Sequence, residues 1–229
     1  MSPAVPRRPA VWVNCAVSLD GRLALAGGRR AHLSSPEDLV RVQRLRANSE
    51  GILVGVGTVV ADDPSLRVHW ELLGATGGPE PARIVVDASG RTPAQARVLA
   101  PGPLTYVATT EENRREYPAH VRVLRAGRGT VDLGRLFEQL YAEGIHRLMV
   151  EGGATLLGSV VRGGLFDRLT VYYAPLVLGG RTAPPMVRGP DLDDLGAAVA
   201  VELESTEPMG VGYVATYRAR RPTAPLGTS

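Results

Sequence analysis

The sequence predicts one α/β domain: a mostly parallel sheet with helices packed on both of its faces. Three observations carry this. Short apolar, β-branched runs such as Ile52-Leu-Val54 and Ile84-Val-Val86 read as strands buried on both faces. Segments with helical apolar spacing alternate with these runs along the chain. Twice a strand runs through glycines straight into a helix start, at Gly51–Leu66 and at His146–Gly158.

The elements follow in order. Val11–Val17 alternates well enough for a first strand, and Ser18-Leu-Asp-Gly-Arg22 reads as a turn. Ser35 before Pro36 is an N-cap with proline at the first helical position. Leu39, Val42, Leu45 and Arg46 keep helical spacing and carry that helix to about Asn48. The strand at Ile52–Val54 meets Gly55 and Gly57, which suit a tight turn or close backbone approach. Thr58 stands where an N-cap hydroxyl belongs, and Pro64 ends the helix. Gly74, Gly77, Gly78 and Pro79 mark a surface loop, then strands are predicted at Arg83–Asp87, Leu104–Ala108 and Val121–Leu124. Leu133, Leu136, Phe137, Leu140 and Tyr141 line one side of a helix that Gly144 closes. His146–Val150 is a strand leading through Glu151, Gly152 and Gly153 into a helix that reaches about Arg162. Leu169–Ala174, Val199–Ser205 and Gly212–Tyr217 are further strands, the last two paired as a hairpin. Residues 1–10 and 218–229 read as flexible tails around a single domain over 11–217.

Composition narrows the chemistry. With 229 residues and 44% hydrophobic content the chain can bury a large core, and a net charge of +3 argues against a nucleic-acid surface while allowing small acidic ligands. All 26 basic residues are arginine, which rules out a lysine Schiff base, a Walker-type phosphate lysine and a lysine general base. Cys15 is the only cysteine, so no intrachain disulfide or cysteine-based zinc site is available. It lies in an apolar strand, where a core role is commoner than a nucleophilic one. The four histidines lack metal-site spacing, so no metal is expected. No run is apolar enough to span a membrane and no signal peptide opens the chain, so no membrane partner and a cytoplasmic location are expected.

What remains is two glycine turns, the acids Asp62, Asp63 and Glu151, and neighbouring arginines. These suit a nucleotide cofactor that brings its own chemistry. Each turn also reads as a tight connection with no ligand, and the dinucleotide fingerprint with three glycines is missing, which disfavours a Rossmann domain.

Ser18-Leu-Asp-Gly-Arg22, Arg46-Ala-Asn48, Val54–Pro64, Arg83–Asp87, Glu151-Gly-Gly-Ala-Thr155 and Tyr173–Gly180 together resemble the pyrimidine reductases of riboflavin biosynthesis, in family order over residues 11–217. The likeness is to the stand-alone archaeal type, without a deaminase domain. It implies a dihydrofolate-reductase-like fold with a C-terminal antiparallel hairpin. It also implies a homodimer that uses NADPH to convert a ribosylaminopyrimidine 5′-phosphate to its ribitylamino form, by hydride transfer to C1′ of the ring-opened imine.

Position by position, the resemblance places Gly55, Gly57, Thr58, Asp62 and the backbone of Ala16 at the nicotinamide cofactor. Gly152, Gly153, Ala154, Thr155 and Leu156 fall at its pyrophosphate. Asn14, Arg46, Leu66, His69 and Glu151 form the substrate set, with Asp62 and Glu151 as the acids available for catalysis. Read without the family, Arg46 is an ordinary solvated arginine and Glu151 an ion-pair partner at a strand end. The chain departs from the family at Ala88, where serine is common. Ser89 and Arg91 are left to meet the 2′-phosphate, and a charge-assisted bond from Arg91 would favour NADPH over NADH by roughly tenfold to a hundredfold. It departs again at Arg67, which either grips the substrate phosphate or points to solvent. Asn14, where deaminase-linked members tend to carry lysine, offers a carbonyl that could accept from an exocyclic amino group, so the substrate is expected to keep its 2-amino group. The alternatives are a paralogous reductase of another pyrimidine, pteridine or imine, and a nucleotide-binding module without catalysis.

Overall fold

The structure, a computed structural model, describes residues 7–220. Nine strands form one sheet in the order β5-β4-β3-β2-β6-β1-β7-β9-β8. The strands are β1 (Ala10–Ser18), β2 (Gly51–Gly55), β3 (Ala82–Val86), β4 (Thr105–Thr109), β5 (Val121–Arg125), β6 (Arg147–Gly152), β7 (Arg168–Ala174), β8 (Val201–Met209) and β9 (Gly212–Ala219). The first seven are mutually parallel, and β9 runs antiparallel to both β7 and β8. The α/β class, the parallel body and the closing hairpin are those the sequence predicts.

Four α-helices cover the sheet: α1 (Pro36–Ala47), α2 (Val56–Asp62), α3 (Leu133–Ala142) and α4 (Ala154–Arg162). The inner strands are apolar on both sides because each face is covered. Val13, Cys15, Leu53, Ile84 and Val150 pack with α3 and α4 on one face. Ile52, Val54, Val85 and Met149 pack with Val56 and Val59 of α2 and with Val42 and Leu45 of α1 on the other. Helix starts follow local chemistry. The Ser35 hydroxyl accepts the Asp38 N–H ahead of Pro36, and the Asp132 carboxylate accepts the Arg135 N–H.

Several details differ from the expected ones. The helix after β2 begins at Val56 with Gly55 as its N-cap, so Thr58 lies inside the first turn and its hydroxyl caps nothing in its own helix. Gly55 has an ordinary extended backbone (φ −79, ψ 151), and Gly57 is helical, so no left-handed turn demands glycine at either place. On α1 the buried positions include Asp38 and Gln43, while Leu39 is 46% exposed, because polar contacts to the sheet override the apolar stripe there. The tails expected over 1–10 and 218–229 lie outside the described residues at 1–6 and 221–229. Ala10 already belongs to β1, and Arg218 and Ala219 pair with β8 as part of β9.

The motif stretches serve as staples. Asp20 accepts from the Ser18 hydroxyl and from the N–H groups of Leu178 and Gly179, joining the 18–22 turn to the segment after β7. The Ser18 hydroxyl and these N–H groups hold its carboxyl down at about 2. Asp87 accepts from the Arg91 and Thr92 N–H groups and the Thr92 hydroxyl. Buried Arg83 donates to the Thr105 hydroxyl and the Ala100 and Pro103 carbonyls, and so shapes the loop before β4. Gly158 is forced by packing: a Cβ there would sit 1.8 Å from the Arg188 carbonyl oxygen, on a segment that also donates its Arg188 N–H to Ala154. Among the described residues no helix is long and apolar enough to cross a membrane, and no group of three or more His, Cys, Asp or Glu is arranged to hold a metal.

Cys15 is buried, and burial pushes its thiol from 9.0 up to about 12, with Asp38 adding to the rise and Arg41 opposing it. The neutral thiol therefore contributes stability that is complete below pH 9, where the unfolded thiol is also protonated, and declines as pH rises towards about 12. The loss should approach about 1.4 kcal/mol per pH unit within that window. Urea unfolding of the wild type and Cys15→Ala at neutral and alkaline pH should show the alkaline loss larger in the wild type. Equal losses would contradict the assignment.

Candidate active site

Strands β2 and β6 are parallel neighbours at the centre of the sheet, yet the helices that follow them leave to opposite faces, α2 to one and α4 to the other. A crevice must open between the carboxyl ends of two such strands, which is where open α/β sheets bind their ligands. The pairing also slips by one residue here: Leu53 pairs with Val150 but Val54 with Gly152, which leaves Glu151 as the bulged residue. A bulge re-aims a side chain at a strand end. Gly152 follows with φ 128, a conformation open to glycine, and Gly153 caps α4 without a side chain.

The two glycine turns touch. The Gly153 N–H donates to the Thr58 hydroxyl at 3.0 Å, and a Cβ on Gly55 would stand 3.5 Å from the Leu156 Cβ. The hydroxyl expected to cap α2 instead ties α2 to the start of α4. Space around Gly57 is open on the side a Cβ would occupy.

A cavity of about 420 Å³ occupies the crevice, lined by Arg30, Arg46, Val54, Thr58, Asp62, Pro64, Ser65, Leu66, His69, Arg97 and Glu151. Arg46, Thr58, Asp62, Leu66, His69 and Glu151 are thus brought together as the sequence reading grouped them. Arg46 and Glu151 hold each other in a two-pronged ion pair, Nε–Oε1 and Nη2–Oε2 both 2.6 Å, with side chains 15% and 12% exposed. Arg46 also donates to the Arg67 carbonyl at 2.8 Å. Burial opposes the charge on Arg46, but the charge and hydrogen bonds of Glu151, with the more distant Glu80, outweigh it and raise the guanidinium above its ordinary value. Of the two readings made without the family, the ion-paired glutamate is met and the solvated arginine is not: Arg46 is largely buried in the pair, and the pair lines the cavity wall. Leu66 is 1% exposed with φ 50, so a buried leucine in the left-handed region turns the chain at the cavity edge.

The other predicted residues do not line this cavity. Ala16 is near the carboxyl end of β1, Gly152 ends β6 and Gly153–Leu156 follow it, Gly55 ends β2 with Gly57 in the helix after it, and Ser89 and Arg91 follow β3. These four strands are consecutive in the sheet as β3-β2-β6-β1, so the cofactor set lies along one continuous edge. Asn14 faces α1, and its carbonyl accepts from Arg41 at 2.9 Å. Arg67 does not line the cavity: its guanidinium lies over Gly102.

Sequence reasoning missed Arg30 and Arg97. Arg30 arrives on the irregular segment before α1. Arg97 arrives on the loop braced by Arg83 and by the Asp63 carboxylate, which accepts the Arg97 N–H. Neither has a carboxylate partner among the described residues, and no local motif announces them, because only the fold brings those loops to the cavity. A larger cavity of about 1260 Å³ lies at the opposite ends of β1 and β6, lined by Trp12, Leu148, Phe166, Leu195, Val199 and Ala200 among others. It contains none of the predicted residues.

Fold and site together define a switch-point α/β protein whose central crevice offers two arginines and the acid Asp62, none with a charged partner among the described residues, beside the α4 N-terminus, which no side chain caps. Residues 9–215 match the model of the RibD C-terminal domain, and the chain belongs to that family. It is 41% identical over 217 residues to the 2,5-diamino-6-ribosylamino-4(3H)-pyrimidinone 5′-phosphate reductase of Methanothermobacter thermautotrophicus, covering 93% of this chain and 99% of that one. It is 40% identical over 182 residues to the riboflavin biosynthesis protein RibD of Escherichia coli, covering 75% of this chain and 49% of that longer one. Among solved structures, the Saccharomyces cerevisiae riboflavin biosynthesis reductase Rib7 superposes with a TM-score of 0.72 at 25% identity, covering 96% of this chain and 93% of that one. RibD of Acinetobacter baumannii superposes with a TM-score of 0.80 at 25% identity, covering 93% of this chain and 58% of that one.

Removing one member of the Arg46–Glu151 pair strands a largely desolvated charge. Arg46→Ala should destabilise the fold by about 3–5 kcal/mol, and the double change Arg46→Met/Glu151→Leu by much less. Chemical denaturation of the two variants would show this. Equal losses would mean that the pair is solvated and uncoupled.

Proposed function

We propose that this protein is an NADPH-dependent reductase of 2,5-diamino-6-ribosylamino-4(3H)-pyrimidinone 5′-phosphate, forming the ribitylamino product in riboflavin biosynthesis. The observation that carries the reading is the convergence of the candidate residues on the β3-β2-β6-β1 edge and its crevice, in a chain similar over its whole domain to an archaeal enzyme of that name.

The residues present fit a dinucleotide. The first N–H groups of α4, at Ala154, Thr155 and Leu156, receive no side-chain cap and suit a pyrophosphate, with Gly152 and Gly153 keeping side chains out of its way. The open space at Gly57 and the backbone of Ala16 suit the nicotinamide end, and exposed Arg91 and Ser89 suit the 2′-phosphate that distinguishes NADPH from NADH. Bound there, the cofactor supplies the hydride that the substrate's C1′ takes up.

The chain's own groups do the rest. Leu66 and Val54 give the crevice an apolar wall that limits water. The Arg46–Glu151 pair holds a carboxylate in fixed orientation for sugar hydroxyls or ring N–H groups, and Asp62, which lines the cavity, exchanges the proton when the sugar ring opens. Arg30 and Arg97 supply the positive charge a 5′-phosphate needs, since Arg46 is already neutralised by Glu151.

The reading includes a homodimer working in the cytoplasm. Its support is the outer edge of β8, which has no neighbouring strand among the described residues, and the exposed Leu195, Val199, Val201 and Leu203 beside it. Sedimentation velocity tests the dimer, and a monomer at micromolar concentration would remove it.

Mixing the purified protein with NADPH and the diaminopyrimidinone phosphate should consume reduced nicotinamide, followed by its absorbance. Cofactor binding without oxidation would leave a non-catalytic module instead. Arg30→Ala and Arg97→Ala should each raise KM for the phosphorylated substrate by roughly tenfold or more with little change in kcat. Unchanged KM in both would take the phosphate elsewhere.

A further inference from the structure

A buried polar chain under α1 takes no part in the scheme above. Asp38 and Arg41 lie one turn apart on the face of α1 that meets the sheet. Asp38 is 0% exposed, its Oδ1 accepts from Arg41 Nε at 2.8 Å, and Arg41 Nη2 stands 2.7 Å from the same oxygen. Nη2 also donates to Asn14 Oδ1 at 2.9 Å, while Asp38 Oδ2 is buried without a hydrogen-bond partner. A desolvated ion pair with an orphaned oxygen is a poor device for stability, because apolar side chains of similar volume commonly serve as well or better. The pair therefore calls for a role beyond holding α1 to the sheet.

That role follows from the third member. The two ends of an asparagine amide are nearly the same size, one accepting and one donating. A guanidinium only donates, so Arg41 admits the carbonyl end and repels the amide end. Asp38 fixes Arg41 in turn. Asn14 is left with Oδ1 towards α1 and its N–H₂ turned away. Along β1, Val13 and Cys15 face the opposite core, and Asn14 comes one position after the Val13–Val150 pairing, at the level where β6 carries Glu151.

We propose that Asp38 and Arg41 are positioning residues that lock the Asn14 amide with its N–H₂ donor towards the pyrimidine ring, an inference that rests on the reductase reading. A fixed donor selects an acceptor. In the 2,5-diamino-4(3H)-pyrimidinone, the ring nitrogen between the 2-amino carbon and the ribosylamino carbon carries no hydrogen and accepts. In the deaminated uracil that nitrogen carries a hydrogen, so two donors would face each other. The substrate form expected from the sequence is kept, but the reason changes: Asn14 reads the ring nitrogen as a donor, its carbonyl being engaged by Arg41.

The test is the double variant Asp38→Leu/Arg41→Met, which removes the pair without stranding either charge, alongside Asn14→Asp, which keeps the size of Asn14 and removes its donor. In ¹⁵N spectra the Asn14 side-chain N–H₂ pair is identified by its loss in Asn14→Asp. In the wild type it should be sharp and rigid, and in the double variant broadened or averaged. In steady-state assays the wild type should prefer the diaminopyrimidinone over the uracil by about tenfold or more in kcat/KM. In the double variant and in Asn14→Asp the ratio should fall to within about threefold, with KM moving more than kcat. Circular dichroism establishes that each variant is folded, and should the double variant not fold, Asn14→Asp alone still reads the preference. A folded double variant with a rigid amide and the wild-type ratio would overturn the proposal. A wild type that reduces neither substrate would overturn the reductase reading instead, and the amide spectra would still decide whether Asp38 and Arg41 hold Asn14.

Discussion

The parallel pairing of β2 with β6 is the constraint on which the rest of the site depends. These strands are far apart in sequence, and their union places two strand-to-helix turns side by side with their helices diverging. The crevice, the Thr58–Gly153 contact and the re-aimed Glu151 all follow from that one adjacency and its single-residue slip. Neither turn would form a site alone, since the first contributes the wall and the acid at Asp62, and the second contributes the helix N-terminus and Glu151.

Charge in this chain is mostly committed. Asp20, Asp87 and Asp63 accept backbone N–H groups, Arg83 serves loop carbonyls, and Arg46 and Glu151 neutralise each other. Against that background the uncommitted groups are informative. Arg30, Arg97 and Asp62 line one cavity, are exposed to solvent, and among the described residues have no hydrogen-bonded charge partner, so their charges are free to meet a complementary ligand. The family's motif residues divide along the same line, some stapling loops and others reaching the cavity.

Where the sequence was legible, the signal was local. The runs Ile52–Val54 and Ile84–Val86, the Ser35-Pro36 start and the strand-glycine-helix order each carry their structure in a few adjacent residues, and the parallel body with its hairpin follows from them. Thr58 shows the limit: its place after two glycines resembles a cap, but capping is decided by where the helix begins, one residue after Gly55. Leu39 and Asp38 show another, for helical spacing cannot reveal that an aspartate and not a leucine faces the sheet when its partner Arg41 and their target Asn14 come together only on folding. Arg30 and Arg97 were illegible for the same reason, since long loops bring them to the cavity and no motif marks such loops.

The burial of Cys15 has a practical corollary when joined to the absence of lysine. The native protein presents neither an accessible thiol nor a side-chain amine, the two groups that common bioconjugation reagents attack. A single cysteine introduced on the exposed surface, for instance at Val211 in the β8–β9 turn, would be the only reactive thiol on the folded protein. The fold thus gives a chemically silent background on which one spectroscopic reporter could be placed without protecting or deleting any native side chain.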